Sequence, residues 1–287
     1  MAKRRRPSPH KKPSSPAKIE QPIAPTFNKF SDTCAHVKPS VYIIARYRQV
    51  GEKAELTTLG TGFLAGDARL VTCSHVIDNE NSPHNDGDAY LLMQVDEYGA
   101  WHRAMVSVIR NKTLFTYPNV DAAILYLPDD FYVVDGKPIK QRDQHLTLTR
   151  TVKPIGSDVG VIGYPMQEIK VSDTGIPQHE SLHLRADKGV INTGHVTGGV
   201  AFTEFTMAFN PGNSGGPIFD AETGEVTAFV HGYNSTAILY AKERLPVHQH
   251  AELGATEVIT SVRALYSIGI CSNNLQQYAA KHGLSFT

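Results

Sequence analysis

Acyl transfer through a hydroxyl needs a nucleophilic oxygen set beside hydrogen-bond donors that face the developing oxyanion. The stretch Asn210-Pro211-Gly212-Asn213-Ser214-Gly215-Gly216-Pro217 has the residue types for it, lying between the apolar runs 205–209 and Ile218-Phe219. Gly212, Gly215 and Gly216 permit positive φ and close backbone approach, so a turn here can aim several N–H groups at one point beside the Ser214 hydroxyl. The N–H groups of Gly212 and Ser214 are the natural pair for an oxyanion hole. The same composition also suits a plain Gly-rich hairpin. A serine hydroxyl is a weak nucleophile near neutral pH and requires a base, itself oriented by a third group. The apolar run 69–77 places His75 where a strand leaves the core, and the run 119–127 places Asp121 at the start of another strand, behind a Tyr-Pro-Asn turn. Taken singly, either residue reads as a satisfied strand end. Together, in the order His75, Asp121, Ser214, they predict a triad. In it His75 takes the Ser214 proton and later protonates the leaving amine, while Asp121 fixes the imidazole tautomer and stabilises the imidazolium. Asp129 and Asp130 are rival carboxylates, expected to face solvent in the turn after the strand.

Thr72-x-x-His75-Val76, Asp121-Ala122-Ala123-Ile124 and the Ser214 stretch resemble the three motifs of trypsin-like serine peptidases, the last being most similar to the HtrA/Deg branch. The likeness extends to Val161-Ile162-Gly163-Tyr164-Pro165, to Lys188-Gly189-Val190-Ile191 and to residues 266–273, and so covers about residues 40–283. It implies an all-β fold, two six-stranded antiparallel β-barrels with a short C-terminal helix, and a serine endopeptidase working through an acyl-enzyme on a polypeptide substrate. It also implies a primary pocket near Ala208, Asn210, Val230, His231 and Gly232. That lining offers no carboxylate for Lys or Arg, so apolar side chains are favoured on the acyl side of the cut. His231 lies near the place where glutamate-preferring relatives carry a histidine, one residue out of register, which leaves an acidic preference as an alternative. Asn213 stands where secreted digestive members carry an acid that pairs with a new N-terminus, and a neutral amide cannot form that ion pair. No activation by zymogen cleavage is therefore expected. The resemblance departs from the branch in two respects: no PDZ-sized segment follows the catalytic unit, and residues 233–260 form a longer excursion before the last strand.

Two other classes share these residues. A catalytically silent binding or scaffold protein would keep the barrels, and an esterase would use the same site. The segment Gly212-Asn213-Ser214-Gly215-Gly216 also fits the Gly-x-Ser-x-Gly elbow of α/β-hydrolases, but those enzymes run Ser, acid, His, and little chain follows Ser214 here.

The elements that must hold these groups are short β-branched or aromatic runs separated by turn residues. In a first barrel, about residues 38–130, they fall at 41–47, 56–64, 70–73, 89–95, 104–109 and 122–127. In a second, about 155–270, they fall at 158–163, 169–171, 183–186, 189–193, 202–208, 217–219 and 226–231. The peptidase domain is thus expected over 38–283. A solvated loop at 78–88 rims the cleft, and a charged surface linker runs over 129–154. Ser272 caps a closing helix at about 273–282, with Gly283 as its stop. The cleft then lies between the barrels, a usual place for a substrate groove.

Composition sets the remaining bounds. A chain of 287 residues with 28 basic and 28 acidic side chains can fill one large core or two packed barrels, and its balanced charge gives no general pull toward nucleic acid. Residues 1–37 hold a basic, Pro-rich segment with Lys3-Arg4-Arg5-Arg6, expected to be a disordered tail. That tail is a candidate import signal and the one place for weak nucleic-acid contact. No apolar run approaches the roughly 20 residues of a membrane span or forms a signal-peptide core, so no membrane partner is expected and the location reads as intracellular, cytoplasmic or nuclear. Cys34, Cys73 and Cys271 are odd in number and widely spaced, against a disulfide framework. Cys73 reads as a small buried side chain. The pair His248-x-His250 lacks companion ligands, so no metal and no cofactor is expected.

Overall fold

The structure is a computed structural model that describes residues 25–51, 53–66, 69–78, 83–85, 88–95, 101–107, 114–127, 133–134, 137–138, 145–165, 170–171, 177–178, 183–244, 257–281 and 286. The chain order is α1 (Phe30–Val37), β1 (Val41–Val50), β2 (Lys53–Leu64), β3 (Arg69–Thr72), α2 (Ser74–Ile77), β4 (Ala89–Val95), β5 (Trp101–Ser107), β6 (Leu114–Tyr117) and β7 (Ala122–Tyr126). The short strands β8 (Val133–Val134) and β9 (Lys137–Pro138) pair with each other. Then come β10 (Asp158–Gly163), β11 (Lys170–Val171), β12 (Pro177–Gln178), β13 (Arg185–Thr197), β14 (Val200–Phe205), β15 (Pro217–Asp220), β16 (Val226–Arg244), β17 (Glu257–Cys271) and α3 (Ser272–Lys281).

The fold is mainly β. Its first unit is a seven-stranded antiparallel sheet in the order β5-β4-β1-β2-β3-β7-β6. The two ends of that row, β5 and β6, are consecutive in the chain order. The second unit is a closed six-stranded barrel, β10-β13-β14-β17-β16-β15. Closure removes the unpaired edges that an open sheet would present. Four consecutive residues at the start of β7 are buried, as are the last five of β10, because a barrel strand has one face on its own core and the other on a neighbour. One large apolar core fills the first unit and reaches the second through Ile162, Tyr164, Phe219, Val226, Phe229, Ile270 and Leu275. A smaller one, including Phe205, Ile218, Ala228 and Val230, lies within the closed barrel.

Three expectations change at the edges of this framework. The tail expected to end at residue 37 gives way earlier to the ordered helix α1, which packs on the second unit. There the Thr33 hydroxyl donates to Ala221 O at 2.7 Å, Phe27 N–H donates to Glu222 O at 2.7 Å, and Phe30 stacks on Phe219 with ring centroids 6.1 Å apart. Gly160 makes room for that stack, since a Cβ there would lie 2.4 Å from Phe30. The linker expected over 129–154 is not all surface. Leu146 and Leu148 are buried, and parallel bridges from these residues to Ala65 and Val226 tie the segment to both units. The excursion at 233–260 is largely a hairpin arm: β16 and β17 stay paired from Ala228–Cys271 out to Arg244–Glu257. His248 and His250 lie outside the described residues, as do Asp129, Asp130, Gly283 and residues 1–24.

The closing helix is held by side chains. The Ser272 hydroxyl donates to Thr149 O at 2.7 Å rather than capping the helix. Asn274 both donates to and accepts from the Ala201 main chain, and Leu275 and Ala279 are buried. In the segment after His75, Asp88 is 1% exposed and takes a two-pronged pair of hydrogen bonds from Arg48, both at 2.7 Å, plus one from Asn85 N–H at 2.9 Å. Burial pushes the Asp88 carboxyl up, yet the Arg48 and Asn85 bonds and the charges of Arg48 and Arg46 outweigh it and hold the group below its ordinary value. A lowered folded-state pKa contributes stability that is present above the unfolded aspartate value of about 4 and is lost as pH falls through the folded one. Asp88→Asn should therefore cost on the order of 2 kcal/mol at neutral pH. Urea midpoints measured at descending pH should show wild type converging on the variant in acid, and equal midpoints at pH 7 would contradict this.

Candidate active site

Strand β3 delivers the chain to the one-turn helix α2, which carries Ser74 and His75. Beside it, a short 3₁₀ turn at Pro118–Val120 delivers Asp121 to the start of β7. Among the described residues Asp121 is the only non-glycine at positive φ, 43° with ψ 45°. That left-handed conformation costs least for Asp and Asn, and when retained by a non-glycine it commonly marks a functional constraint. Its effect is to turn the carboxylate back over α2.

Four donors meet that carboxylate. Oδ1 accepts from the Ser74 hydroxyl at 2.7 Å and from His75 N–H at 3.0 Å. Oδ2 accepts from His75 Nδ1 at 2.7 Å and from His231 Nδ1 at 2.6 Å. A carboxylate only accepts, so both rings carry their proton on Nδ1 in this arrangement, leaving Nε2 of His75 as the acceptor. Burial pushes the Asp121 carboxyl up. The hydrogen bonds from His231, His75 and Ser74 outweigh that and hold it far below the ordinary carboxylate range, so the group is ionised at neutral pH. Expected from sequence, the His75–Asp121 contact is present; Ser74 and His231 as further partners were not anticipated.

His231 reaches Asp121 through a β-bulge. In the β16–β17 ladder Val230 faces Gly269 and Gly232 faces Ile268, so His231 is the extra residue. An extra residue re-aims a side chain, and bulges are common beside active sites. The ring sits edge-on to His75, with centroids 5.9 Å apart, and against Phe202 at 5.8 Å. The sequence signal was slight: a histidine in an apolar strand, offset by one from a known register. Of the other pocket residues, Val230 packs into the closed-barrel core, and it is its main chain that serves the site. Ala208 is exposed, while Asn210 and Gly232 are half-buried.

The Ser214 loop leans on the first unit through main chain. Thr61 N–H donates to Ser214 O at 2.9 Å, and the Thr61 hydroxyl donates to Gly212 O at 2.7 Å. Gly215 N–H donates to Val230 O at 2.8 Å, and Gly216 N–H to Asn213 O at 2.8 Å. A Cβ on Gly60 would lie 2.9 Å from Ser214 O and 3.0 Å from the side chain of Val76, so the loop stands next to the residue that follows His75. The N–H groups of Asn213, Gly215 and Gly216 are committed within the protein, whereas those of Gly212 and Ser214 make no hydrogen bond among the described residues. Cys73 is fully buried. Its Sγ donates to Val230 O at 3.1 Å, and burial together with the nearby Asp121 charge raises the thiol well above its ordinary value.

A closed antiparallel barrel beside a barrel-like sheet, with an imidazole on a carboxylate next to a Gly-rich serine loop, defines the class of trypsin-like folds. The family described as Trypsin-like peptidase domain matches residues 60–228, and the chain belongs to it. Among solved structures, the active form of the Rv3671c protease from M. tuberculosis is similar at 19% identity, with 96% of each chain covered and a TM-score of 0.52, which shows the shared fold. A serine endoprotease from Yersinia pestis aligns at 16% identity over 89% of this chain and 66% of its own, with a TM-score of 0.49. Deg5 aligns at 17% identity over 70% of this chain and 83% of its own, with a TM-score of 0.45. No curated protein matches the sequence.

The steric demand of the loop can be isolated. Gly215 and Gly156 have nearly the same φ, 84° and 85°, but a Cβ at 215 would lie 2.1 Å from Thr72 Oγ1 and 2.3 Å from Thr61 O, while one at 156 meets nothing within 4 Å. Each alanine carries the conformational cost of about 1 kcal/mol. Gly215→Ala should cost about 1–3 kcal/mol more through overpacking. Thermal melts of the two variants test this, and equal losses would contradict the geometry.

Proposed function

We propose that this chain is a serine endopeptidase whose triad is His75, Asp121 and Ser214. The observation that carries the reading is the Asp121 carboxylate, held ionised and fixed on both the main chain and Nδ1 of His75, beside a serine loop with two uncommitted N–H groups. Asp121 sets the tautomer that leaves Nε2 of His75 able to accept the Ser214 proton. The Ser214 oxygen then adds to the scissile carbonyl, and the oxyanion is held by the N–H groups of Gly212 and Ser214. Collapse expels the amine, protonated by the His75 imidazolium, and leaves an ester on Ser214. Water, deprotonated by the same imidazole, hydrolyses the ester.

Substrate lies along the cleft, with the acyl-side residue directed toward Ala208, Asn210 and Gly232, where no carboxylate favours Lys or Arg. The Ser214 reading is tested by a fluorophosphonate probe. Wild type should be labelled and Ser214→Ala should not, and an unfolded protein substrate should be cut by the first alone. Asp121→Asn should lose about 10⁴-fold in turnover, since it stabilises the wrong tautomer. Labelling without proteolysis would identify an esterase, and neither activity a scaffold.

A further inference from the structure

The His231 contact on Asp121 brings a fourth group into range. Cys73 Sγ, an imidazole nitrogen from each of His75 and His231, and a carboxylate oxygen of Asp121 all lie within 4.8 Å of one another. We propose that these four residues form a binding site for a thiophilic divalent cation such as zinc, and that occupancy switches the peptidase off.

The donor set fits the ion. Two imidazoles, one thiolate and one carboxylate are zinc ligands in number and kind, with bonds of about 2.0–2.3 Å and hence tetrahedral edges of about 3.3–3.8 Å. The cluster's longest separation, up to 4.8 Å, has to close by about 1 Å, and the contacts of 2.6 and 2.7 Å at Asp121 Oδ2 have to open by less than that. Charge also balances: the Asp121 carboxylate and the Cys73 thiolate neutralise a dication, and both imidazoles bind as neutral rings. Access is from solvent on the side where the His75 and His231 side chains are 41% and 38% exposed, while Cys73 closes the site from the core side.

Binding is written with its protons. The Cys73 thiol gives up its hydrogen bond to Val230 O and releases one proton to solvent as the bond from Sγ to the metal forms. Each imidazole gives up its Nδ1 proton where that nitrogen takes the metal, and a neutral ring then carries its proton on Nε2. For His75 this tautomer inverts the arrangement found here, because Nε2 becomes a donor and cannot accept a proton from Ser214. The Asp121 oxygen that held the catalytic tautomer is occupied as well. Silencing therefore follows from the change of tautomer, without blocking the cleft. The silencing step rests on the His75 and Ser214 roles proposed above; metal binding does not.

Cobalt(II) chloride added to the EDTA-treated full chain tests the site directly. Wild type should give the strong visible bands of tetrahedral cobalt and a sulfur-to-cobalt charge-transfer band. Cys73→Ala should lose the charge-transfer band, and His231→Gln, altered at a half-exposed position, should weaken binding about 10- to 100-fold. Zinc chloride should suppress fluorophosphonate labelling of wild type, EDTA should restore it, and His231→Gln should need about tenfold or more zinc for the same suppression. Weak octahedral spectra, or spectra unchanged in both variants, would overturn the site. Equal zinc sensitivity in wild type and His231→Gln would overturn the switch. An EDTA-treated wild type that never labels would instead defeat the peptidase reading, with the cobalt spectra still deciding the metal site.

Discussion

The ionised carboxylate of Asp121 is the constraint on which the arrangement of both units depends. A carboxylate withdrawn from water without compensation is costly by several kcal/mol, and this one is compensated by donors that come from different parts of the chain. Ser74 and His75 approach from the turn after β3, and His231 approaches from a bulge in β16 of the closed barrel. Moving the second unit away would cost Oδ2 its His231 donor and leave it His75 alone. The charge thus acts as a fastener between barrels and, by the same contacts, as the orienting group for an imidazole.

A second fastener runs through backbone. Thr61 sits in β2, yet its N–H and hydroxyl hold the carbonyls of Ser214 and Gly212, its hydroxyl accepts Tyr164 N–H at 3.1 Å, and its carbonyl accepts the Thr72 hydroxyl at 2.8 Å. One residue of the first unit therefore fixes the serine loop, the end of β10 and the strand that leads to His75. Because these bonds take carbonyls rather than amides, they orient the loop without consuming the N–H groups of Gly212 and Ser214. The glycines serve this packing as well as the turn: at 215 there is no volume for a methyl group, whatever the dihedral angle.

Much of this was legible in the sequence because the signals were local. The strand runs around residues 41–47, 89–95, 122–127, 158–163 and 217–219 carry their own β propensity, and His75, Asp121 and the serine loop sit at recognisable strand ends. What escaped was set by contacts between distant residues. Helix α1 adjoins a polar tail and gives a weak pattern; what fixes it is Thr33 on Ala221 and Phe30 on Phe219, some 190 residues apart in the chain. Leu146 and Leu148 look like loop residues until Leu64 and Val226 are placed beside them. The bulge at His231 is a property of two strands in register and has no signature in one.

The bulge also explains why a single oxygen serves two rings. A regular ladder alternates sides, so Val230 in the barrel core and a paired residue 231 on the opposite face would leave the histidine directed by the pleat alone. The extra residue frees it from the ladder and lets Nδ1 reach Asp121 at 2.6 Å, almost the same distance as His75 keeps from the same atom. Equal sharing means that His75 does not own the charge that orients it. Any agent that competes for Oδ2, or that draws both Nδ1 atoms toward itself, acts on the His75 ring without touching the serine. A site built this way couples the state of one half-exposed imidazole in the second unit to the tautomer of another in the first, across about 6 Å.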